Sequence, residues 1–189
     1  MTKKPMKKDS PKFCKTLKDT KALIAKHRGG IRLDVGCGFN KQKGYVGLDM
    51  RPVKGVDIVH DAEATPYPLP KECCSTILAS HLVEHLCPKN FMRVMDEWWR
   101  LLRAGGQLLV SLPYATSYGF YQDPTHCNHV NEATWTYFDP EQFLYCIYRP
   151  LPWKVERNAW REGGNMEVIL SKRTIAERDA IDKKRGIKV

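Results

Sequence analysis

A short apolar run that ends in two closely spaced glycines constrains this sequence more than any other feature. Residues 31–35 have the hydrophobicity of a buried strand and run directly into Gly36-Cys37-Gly38. Glycine allows the backbone to turn sharply and another molecule to approach where a side chain would clash. Asp34 stands just before the turn, where its carboxylate can accept a hydrogen bond from an amino group. The pattern predicts a strand that ends in a ligand-binding loop.

Further strand-like runs follow at short intervals, and two of them end on an aspartate. They cover residues 45–49, 56–61, 75–79 and 107–113. Before the last of them, residues 90–103 carry apolar side chains at helical spacing, with Asn90 as the expected N-cap. Strands that alternate with helices indicate an α/β fold, in which ligands bind at the carboxyl ends of parallel strands.

The C-terminal part of the sequence predicts a change of strand direction. Residues 153–157 and 166–170 read as strands joined by a turn over 162–165, so they are expected to pair antiparallel. The predicted fold is an α/β three-layer sandwich with a Rossmann-like, mostly parallel sheet and an antiparallel C-terminal end. Within it, residues 29–171 form the expected ligand-binding domain.

Basic residues are concentrated at the two ends of the chain, which has a net charge of +10. Residues 1–28 hold ten lysines and arginines against two aspartates, and residues 172–189 hold seven against three acidic residues. We expect a basic N-terminal arm with disorder over 1–10 and a helix over 11–28, and a basic C-terminal tail. Two interpretations are open: arms that contact phosphates or an acidic partner, and tails that are simply solvated.

The cysteines and the hydropathy indicate a protein of a reducing compartment. Seven cysteines are scattered without a Cys-x-x-Cys pair, which argues against a disulfide framework or a structural zinc site. No apolar run is long enough to span a bilayer, and no apolar segment of a secretory signal follows the basic N-terminus. We therefore expect a cytoplasmic protein without a membrane partner.

Several short motifs follow one another at the predicted strand ends. They are the stretch 33–38 around the glycine pair, Gly47-Leu48-Asp49, the stretches 57–63 and 77–86, and the helix end with a second glycine pair at 98–106. Together they resemble class I methyltransferases that use S-adenosylmethionine (SAM). The resemblance is close over residues 31–113 and extends to residue 171. It implies methyl transfer but says little about the methyl acceptor.

The resemblance also implies roles for individual residues. The first motif would line the methionine part of SAM, and Asp49 would hold the ribose hydroxyls. Asp61 and Ala62 would flank the adenine, while residues 79–81 would lie beside the sulfonium. The cofactor-binding residues expected on this basis are Asp34, Gly36, Cys37, Gly38, Asp49, Met50, Asp61, Ala62, Ala79 and Ser80.

The glycine loop differs from two related patterns. Lys41 stands where dinucleotide-binding loops carry a third glycine. This difference argues against a nicotinamide dinucleotide as the cofactor. Only residues 39–44 separate the loop from the second strand, where most class I methyltransferases have a full helix. This shortened form is similar to a group of small predicted methyltransferases of bacteria and phages. We expect this edge of the pocket to be open or covered by another segment, such as the N-terminal helix.

Residues 114–138 are rich in aromatic side chains and follow the last parallel strand, so they are expected to lie over the pocket as a lid. Similar methyltransferases carry an Asp-Pro-Thr-His segment here, which implies a role near the acceptor. Three interpretations of Asp123, His126 and His129 are open: acid–base catalysis, a metal site, or structural ties that hold the lid. The first makes these residues and His81 the candidate catalytic residues, with no metal assigned.

The sequence therefore predicts an enzyme that transfers a methyl group from SAM to an oxygen or nitrogen atom. The acceptor is left open among small molecules, glycans and nucleic acids. Two other functions compete with this one. One is a SAM-binding partner or regulatory protein without catalysis, and the other is a nucleic-acid-binding protein that acts through its basic ends.

Overall fold

The computed structural model describes residues 13–27 and 29–187. A seven-stranded sheet with the order β3-β2-β1-β4-β5-β7-β6 forms its centre. The strands are β1 (Ile31–Val35), β2 (Val46–Asp49), β3 (Ile58–Val59), β4 (Cys74–Ser80), β5 (Leu102–Pro113), β6 (Trp153–Arg161) and β7 (Asn165–Lys172). The helices are α1 (Leu17–Ile24), α2 (Pro88–Leu101), α3 (Tyr118–Tyr121), α4 (Glu132–Thr136), α5 (Tyr145–Tyr148) and α6 (Ile175–Arg185), with a 3₁₀ turn at Val83–His85.

The strand directions confirm the predicted fold class. Strands β1 to β5 pair in parallel, and β7 runs antiparallel between β5 and β6. The predicted hairpin is longer at both strands than expected and turns over 162–164. Because the strand order reverses between β1 and β4, a crevice opens at their carboxyl ends. Both the glycine loop and the residues after β4 lie at this crevice.

The first helix is shorter than the sequence predicted. It begins after Thr16, whose side chain and that of Asp19 form a capping box, and it ends at Ile24 rather than continuing to the glycines. The buried Thr20 hydroxyl donates a hydrogen bond to the carbonyl of Pro68 (2.5 Å), which attaches α1 to the loop after β3. The disorder predicted for residues 1–10 lies outside the described residues.

Helix α2 carries the predicted apolar stripe but begins and ends two residues earlier than expected. Its N-cap is Cys87, and Pro88 occupies the first turn, where its missing N–H costs nothing. The expected N-cap, Asn90, uses its side-chain amide to bind Glu63 instead. The glycines at 105 and 106, predicted to end the helix, belong to β5, which starts at once with Leu102.

The two faces of the sheet differ in burial. Alternate strand residues such as Leu33, Ile77 and Leu108 have no exposed surface, and they belong to the core with α2. Apart from the buried Asp34, their neighbours on the other face are partly or fully exposed, for example Arg32 and Gln107. The connections after β1, β2 and β3 contain no helix, so the third layer of the predicted sandwich is incomplete over the described residues.

The segment predicted as a basic C-terminal tail contains a docked helix. Thr174 and Glu177 form a capping box at the start of α6, and Gly186 ends it in the left-handed conformation. The carboxylate of Asp182 is buried and pairs with Arg149 at 2.5 Å. The part of the segment that the structure describes is therefore not an extended arm. No helix among the described residues has the length and apolar character needed to cross a membrane.

Candidate functional site

Three cavities meet at the carboxyl ends of β1, β2 and β4. The acid-lined cavity, of about 580 Å³, is bordered by Gly36, Leu48, Asp49, Met50, Arg51, His60, Asp61, Ala62, Glu63, His81, Leu82, His85 and Leu86. The glycine-loop cavity, of about 570 Å³, is bordered by Asp34, Gly36, Cys37, Gly38, Phe39, Asn40, Gln42, Arg51, Leu78, Ser80 and His81. The histidine cavity, of about 250 Å³, is bordered by His81, Glu84, His85, Pro113, Gly119, Gln122, Asp123, His126 and Asn165.

The glycine loop separates the first two cavities. Gly36 has a φ of +71°, and a Cβ atom built on it would lie 2.9 Å from the side chain of Leu82. Its N–H donates to the carbonyl of Leu48 (2.8 Å), which fixes the turn to the end of β2. A side chain at this position would therefore be strained and would also narrow both cavities.

Asp49 ends β2 and lies at the base of the acid-lined cavity. Its side chain is 5% exposed and accepts hydrogen bonds from the backbone N–H groups of Gly38 (2.8 Å) and Arg51 (2.9 Å). Burial by itself raises the pKa of Asp49, but hydrogen bonds from Arg51 and Gly38 outweigh this effect and hold the pKa below its usual value. The carboxylate is thus ionised and retains acceptor capacity toward the cavity.

The far wall of the acid-lined cavity is a tightly bonded loop after β3. Asp61 accepts a hydrogen bond from the backbone of Glu63 (2.9 Å), while the carbonyl of Ala62 accepts one from the hydroxyl of Tyr67 (2.8 Å). Tyr67 in turn accepts a bond from the indole of Trp98 on α2 (3.1 Å). The buried Trp98 on α2 therefore fixes the wall.

The glycine-loop cavity contains the other predicted cofactor residues. Asp34 is buried and accepts a hydrogen bond from the backbone of Gln42 (2.7 Å), so it closes the loop rather than pointing freely outward. Burial is also the main reason that the pKa of Asp34 is raised. Burial together with the charges of Asp34 and Asp49 raises the pKa of Cys37 to about 12, which leaves an unreactive thiol.

The histidine cavity is connected to the other two by His81, which borders all three. This residue follows β4 directly and has a φ of +52°, a conformation that few residues other than glycine adopt. Its Nδ1 atom lies 3.2 Å from Oε1 of Glu84, whose side chain is fully buried. Contact with the Glu84 carboxylate raises the pKa of His81, against the opposing effect of burial.

Comparison with known proteins identifies this part of the chain. Residues 33–110 match the family model of a methyltransferase domain. A SAM dependent methyltransferase from Archaeoglobus fulgidus has a similar structure, with a TM-score of 0.56, 20% identity, and 82% of this chain and 92% of that chain covered. The antibiotic-resistance methyltransferase Kmr gives a TM-score of 0.55 at 18% identity, with 84% and 94% covered. No curated protein matches the sequence.

Residues 33–110 therefore match a methyltransferase domain by sequence, and the chain has the fold of SAM-dependent methyltransferases. The sequence predictions of a SAM-dependent methyltransferase, of an enzyme and of S-adenosylmethionine as cofactor are borne out at the level of this domain match and this fold. The structural likeness itself concerns the fold, because the identities are low. The match ends at residue 110, so the segment after β5 is outside the matched domain.

Most of the predicted cofactor residues of the methyltransferase border a cavity, with one exception. Ala79 has no exposed surface and lies within the sheet, paired with Val35 and Val110, so its side chain lines none of the three cavities. The sequence interpretation missed His60, Glu63 and Leu82 among the lining residues. Leu82 could have been identified as a lining residue from its position beside His81, directly after the end of a predicted strand.

The segment predicted as a lid contacts the residues that follow β4, and its role as a cover of the pocket stays a prediction. The backbone N–H groups of Cys127 and Asn128 donate to the carbonyl of Glu84 at 2.9 and 3.0 Å. This tie brings Asp123 and His126 to the histidine cavity. His129 is exposed and lies against the ring of Phe120, with centroids 4.3 Å apart, outside the three cavities. Catalytic roles for these three lid residues stay predictions.

Proposed function

We propose that this methyltransferase transfers the SAM methyl group to an oxygen or nitrogen atom of an acceptor held at the histidine cavity. The observation that carries the proposal is His81, the residue common to all three cavities. Asp49 and Asp61 would hold the ribose and adenine in the acid-lined cavity, and Asp34 with Ser80 would line the methionine part. The reactive centre then falls between Gly36 and His81.

The residues on either side of this point fit such a cofactor. The acid-lined cavity combines carboxylates for hydroxyl and amino groups with apolar contacts from Met50, Leu82 and Leu86. Its volume of about 580 Å³ is within the range of roughly 300–1,000 Å³ usual for ligand pockets. When bound, SAM supplies an electrophilic methyl group on a sulfonium, so the protein needs to align the acceptor and remove its proton.

His81 is the base in this proposal, and Glu84 positions it. Alignment of two reactants can contribute ~7–11 kcal/mol to lowering a barrier. A base adds ~10²–10⁴-fold when the attacking atom begins protonated. The buried Glu84 carboxylate, 3.2 Å from Nδ1 of His81, orients the imidazole and stabilises its protonated form. The other ring nitrogen is then free for the acceptor.

An aromatic cleft beside the histidine cavity favours a ring-shaped acceptor. Tyr114, Tyr118 and Trp160 border a cavity of about 630 Å³ next to the β6–β7 turn. Its lining residues Tyr114 and Gly164 are the chain neighbours of Pro113 and Asn165, which border the histidine cavity. Such side chains stack equally on a sugar ring, a nucleobase or an aromatic small molecule, so the acceptor class stays open.

The direct test is transfer of label from methyl-labelled SAM. The protein is incubated with glycan, RNA, DNA and small-molecule pools, and the labelled product is identified by mass spectrometry. His81→Asn is the informative variant because asparagine tolerates the positive φ at this position. We expect turnover to fall ~10²–10⁴-fold with SAM affinity little changed.

The matched control is His27→Asn, which removes a histidine remote from the cavities and should leave turnover unchanged. Full turnover in His81→Asn would remove His81 from the mechanism. Failure of every pool to accept label, with SAM bound, would contradict methyl transfer at this site. Nucleic-acid binding through the basic ends stays a separate prediction, and residues 1–12 of that arm lie outside the described residues.

A further inference from the structure

We propose that Glu84, His85 and His126 form a binding site for a divalent transition-metal ion such as Zn²⁺. The metal site shares Glu84 with the proposed function, in which this residue positions His81, but its test does not depend on methyl transfer. One ligand atom from each of the three residues lies within 4.8 Å of the other two. Two imidazoles and one carboxylate are a donor set that suits zinc and related metals and not Mg²⁺ or Ca²⁺, which prefer oxygen alone.

The carboxylate of Glu84 is the second observation that points to a ligand. The side chain is fully buried, and neither of its oxygens accepts a hydrogen bond from any described residue. Its Oε1 atom forms an ion-pair contact with Nδ1 of the exposed His81 at 3.2 Å, which orients that imidazole without the geometry of a hydrogen bond. A buried carboxylate without donors is costly unless a cation compensates its charge. The carboxylate also borders the histidine cavity, where a cation can reach it.

Each of the two histidines forms a hydrogen bond through Nδ1, which leaves its Nε2 atom as the possible metal ligand. Nδ1 of His126 lies 2.8 Å from the carbonyl of Phe120, which can only accept, so Nδ1 carries the proton. The hydroxyl of Thr125 donates to Asp123 at 2.7 Å and lies 3.0 Å from Nδ1 of His85, so that Nδ1 is a donor too. Metal-binding histidines characteristically donate their second N–H to a carbonyl or a similar partner.

The fold holds the three residues together. Glu84 and His85 are in the 3₁₀ turn after β4, and the backbone bonds from Cys127 and Asn128 to the Glu84 carbonyl place His126 beside them. The imidazoles of His85 and His126 lie edge to face, with centroids 4.6 Å apart. Zinc ligands lie about 2.0–2.2 Å from the metal. Binding therefore requires side-chain movements on the order of 1 Å.

Three protein ligands leave further coordination positions open. Sites of this kind accept water or a substrate atom, whereas structural zinc sites are closed by four protein ligands. The open positions would face the histidine cavity, because all three ligands border it. Asp123 is nearby, with Oδ2 3.9 Å from Nε2 of His126, and is available as a further partner.

Metal binding can be measured without any methyl acceptor. The full-length protein is stripped with a chelator, titrated with Zn²⁺ by calorimetry, and melted with and without the metal. We expect one site per chain, a rise in melting temperature on loading, and no comparable effect of Mg²⁺. Glu84→Gln and His126→Asn should each weaken zinc binding by more than tenfold. Thr125→Val should weaken it ~10-fold, because it removes the hydrogen-bond partner of His85 but none of the three ligands.

His129→Asn is the matched control, since it removes a histidine from the same loop without touching the three ligands. It should bind zinc as the parent protein does. The proposal is wrong if Glu84→Gln and His126→Asn bind zinc as tightly as the parent protein, because the metal would then be held elsewhere, for example by cysteines. It is also wrong if the titration shows no saturable site. If Glu84→Gln fails to fold, His126→Asn decides, since the side chain of His126 is 8% exposed and that of Glu84 is fully buried. A protein that binds zinc but transfers no methyl group would contradict the proposed function alone.

Discussion

The carboxylates that follow β2 and β4 differ in the number of hydrogen bonds that they accept from the rest of the protein. Asp49 accepts bonds from the backbone of Gly38 and from Arg51, and it still borders the acid-lined cavity. Glu84 is fully buried and accepts none from the described residues. Asp49 can therefore accept further hydrogen bonds from neutral groups of a ligand, whereas the charge of Glu84 is suited to a cationic partner.

Replacement of Asp49 tests the cofactor side of the site. We expect Asp49→Asn to weaken SAM binding ~10–100-fold, because a hydrogen bond to a charged group contributes ~1.5–3 kcal/mol. Calorimetric titration with SAM measures the change. Asp96→Asn is the control, since Asp96 accepts a bond from the backbone of Leu151 and borders none of the three cavities. An unchanged SAM affinity in Asp49→Asn would exclude the residue from the site.

At the scale of elements, the lid segment is part of the core rather than a loose cover. The side chain of Trp135 on α4 has no exposed surface and packs edge to face on Phe91 of α2. Tyr118 on α3, by contrast, is 84% exposed beside the aromatic cleft. The segment therefore combines a fixed anchor with a surface available to an acceptor.

The anchor and the surface can be separated by mutation. Trp135→Ala is expected to lower the free energy of unfolding by ~3–5 kcal/mol, the usual cost of removing a buried aromatic side chain. Tyr118→Ala should change it by about 0.5 kcal/mol or less, as exposed positions do. Urea denaturation followed by tryptophan fluorescence or circular dichroism measures both. Equal stability of the two variants would mean that the lid is not anchored through α4.

Element boundaries were harder to predict than the elements themselves. The apolar stripe of α2 and the β6–β7 hairpin followed from side-chain spacing, which depends only on neighbours along the chain. The start of α2 did not, because Asn90 binds Glu63 from another loop instead of capping its own helix. The glycines at 105 and 106 looked like a helix end, but β5 includes them in an irregular stretch between its β4-paired residues Leu102 and Gln107.

At the scale of the whole molecule, the sheet is protected on one face more than on the other. Leu108 and Leu109 are neighbours in β5 and point to opposite faces. Leu108 has no exposed surface, while Leu109 is partly exposed. Parallel sheets are usually covered on both faces, so this asymmetry is unusual for the fold.

The asymmetry predicts unequal effects of two matched substitutions. Leu108→Ala should lower the free energy of unfolding by ~2–5 kcal/mol. Leu109→Ala should lower it by about 1 kcal/mol or less, because less apolar surface is exposed by the change. Urea unfolding at several protein concentrations measures the two values. A large and concentration-dependent effect of Leu109→Ala would instead indicate that another copy of the chain covers this face in solution.

The sequence by itself determined the strand series, the glycine loop and the acids at the strand ends, because these depend on local hydrophobicity and on the conformational freedom of glycine. The tertiary structure decided which residues meet. Glu84, His85 and His126 are 42 or fewer positions apart in the chain, but hydrogen bonds between the 3₁₀ turn after β4 and the lid segment bring them together. The burial of Glu84 is likewise a property of the packed molecule, since no local pattern distinguishes a buried carboxylate from a solvated one.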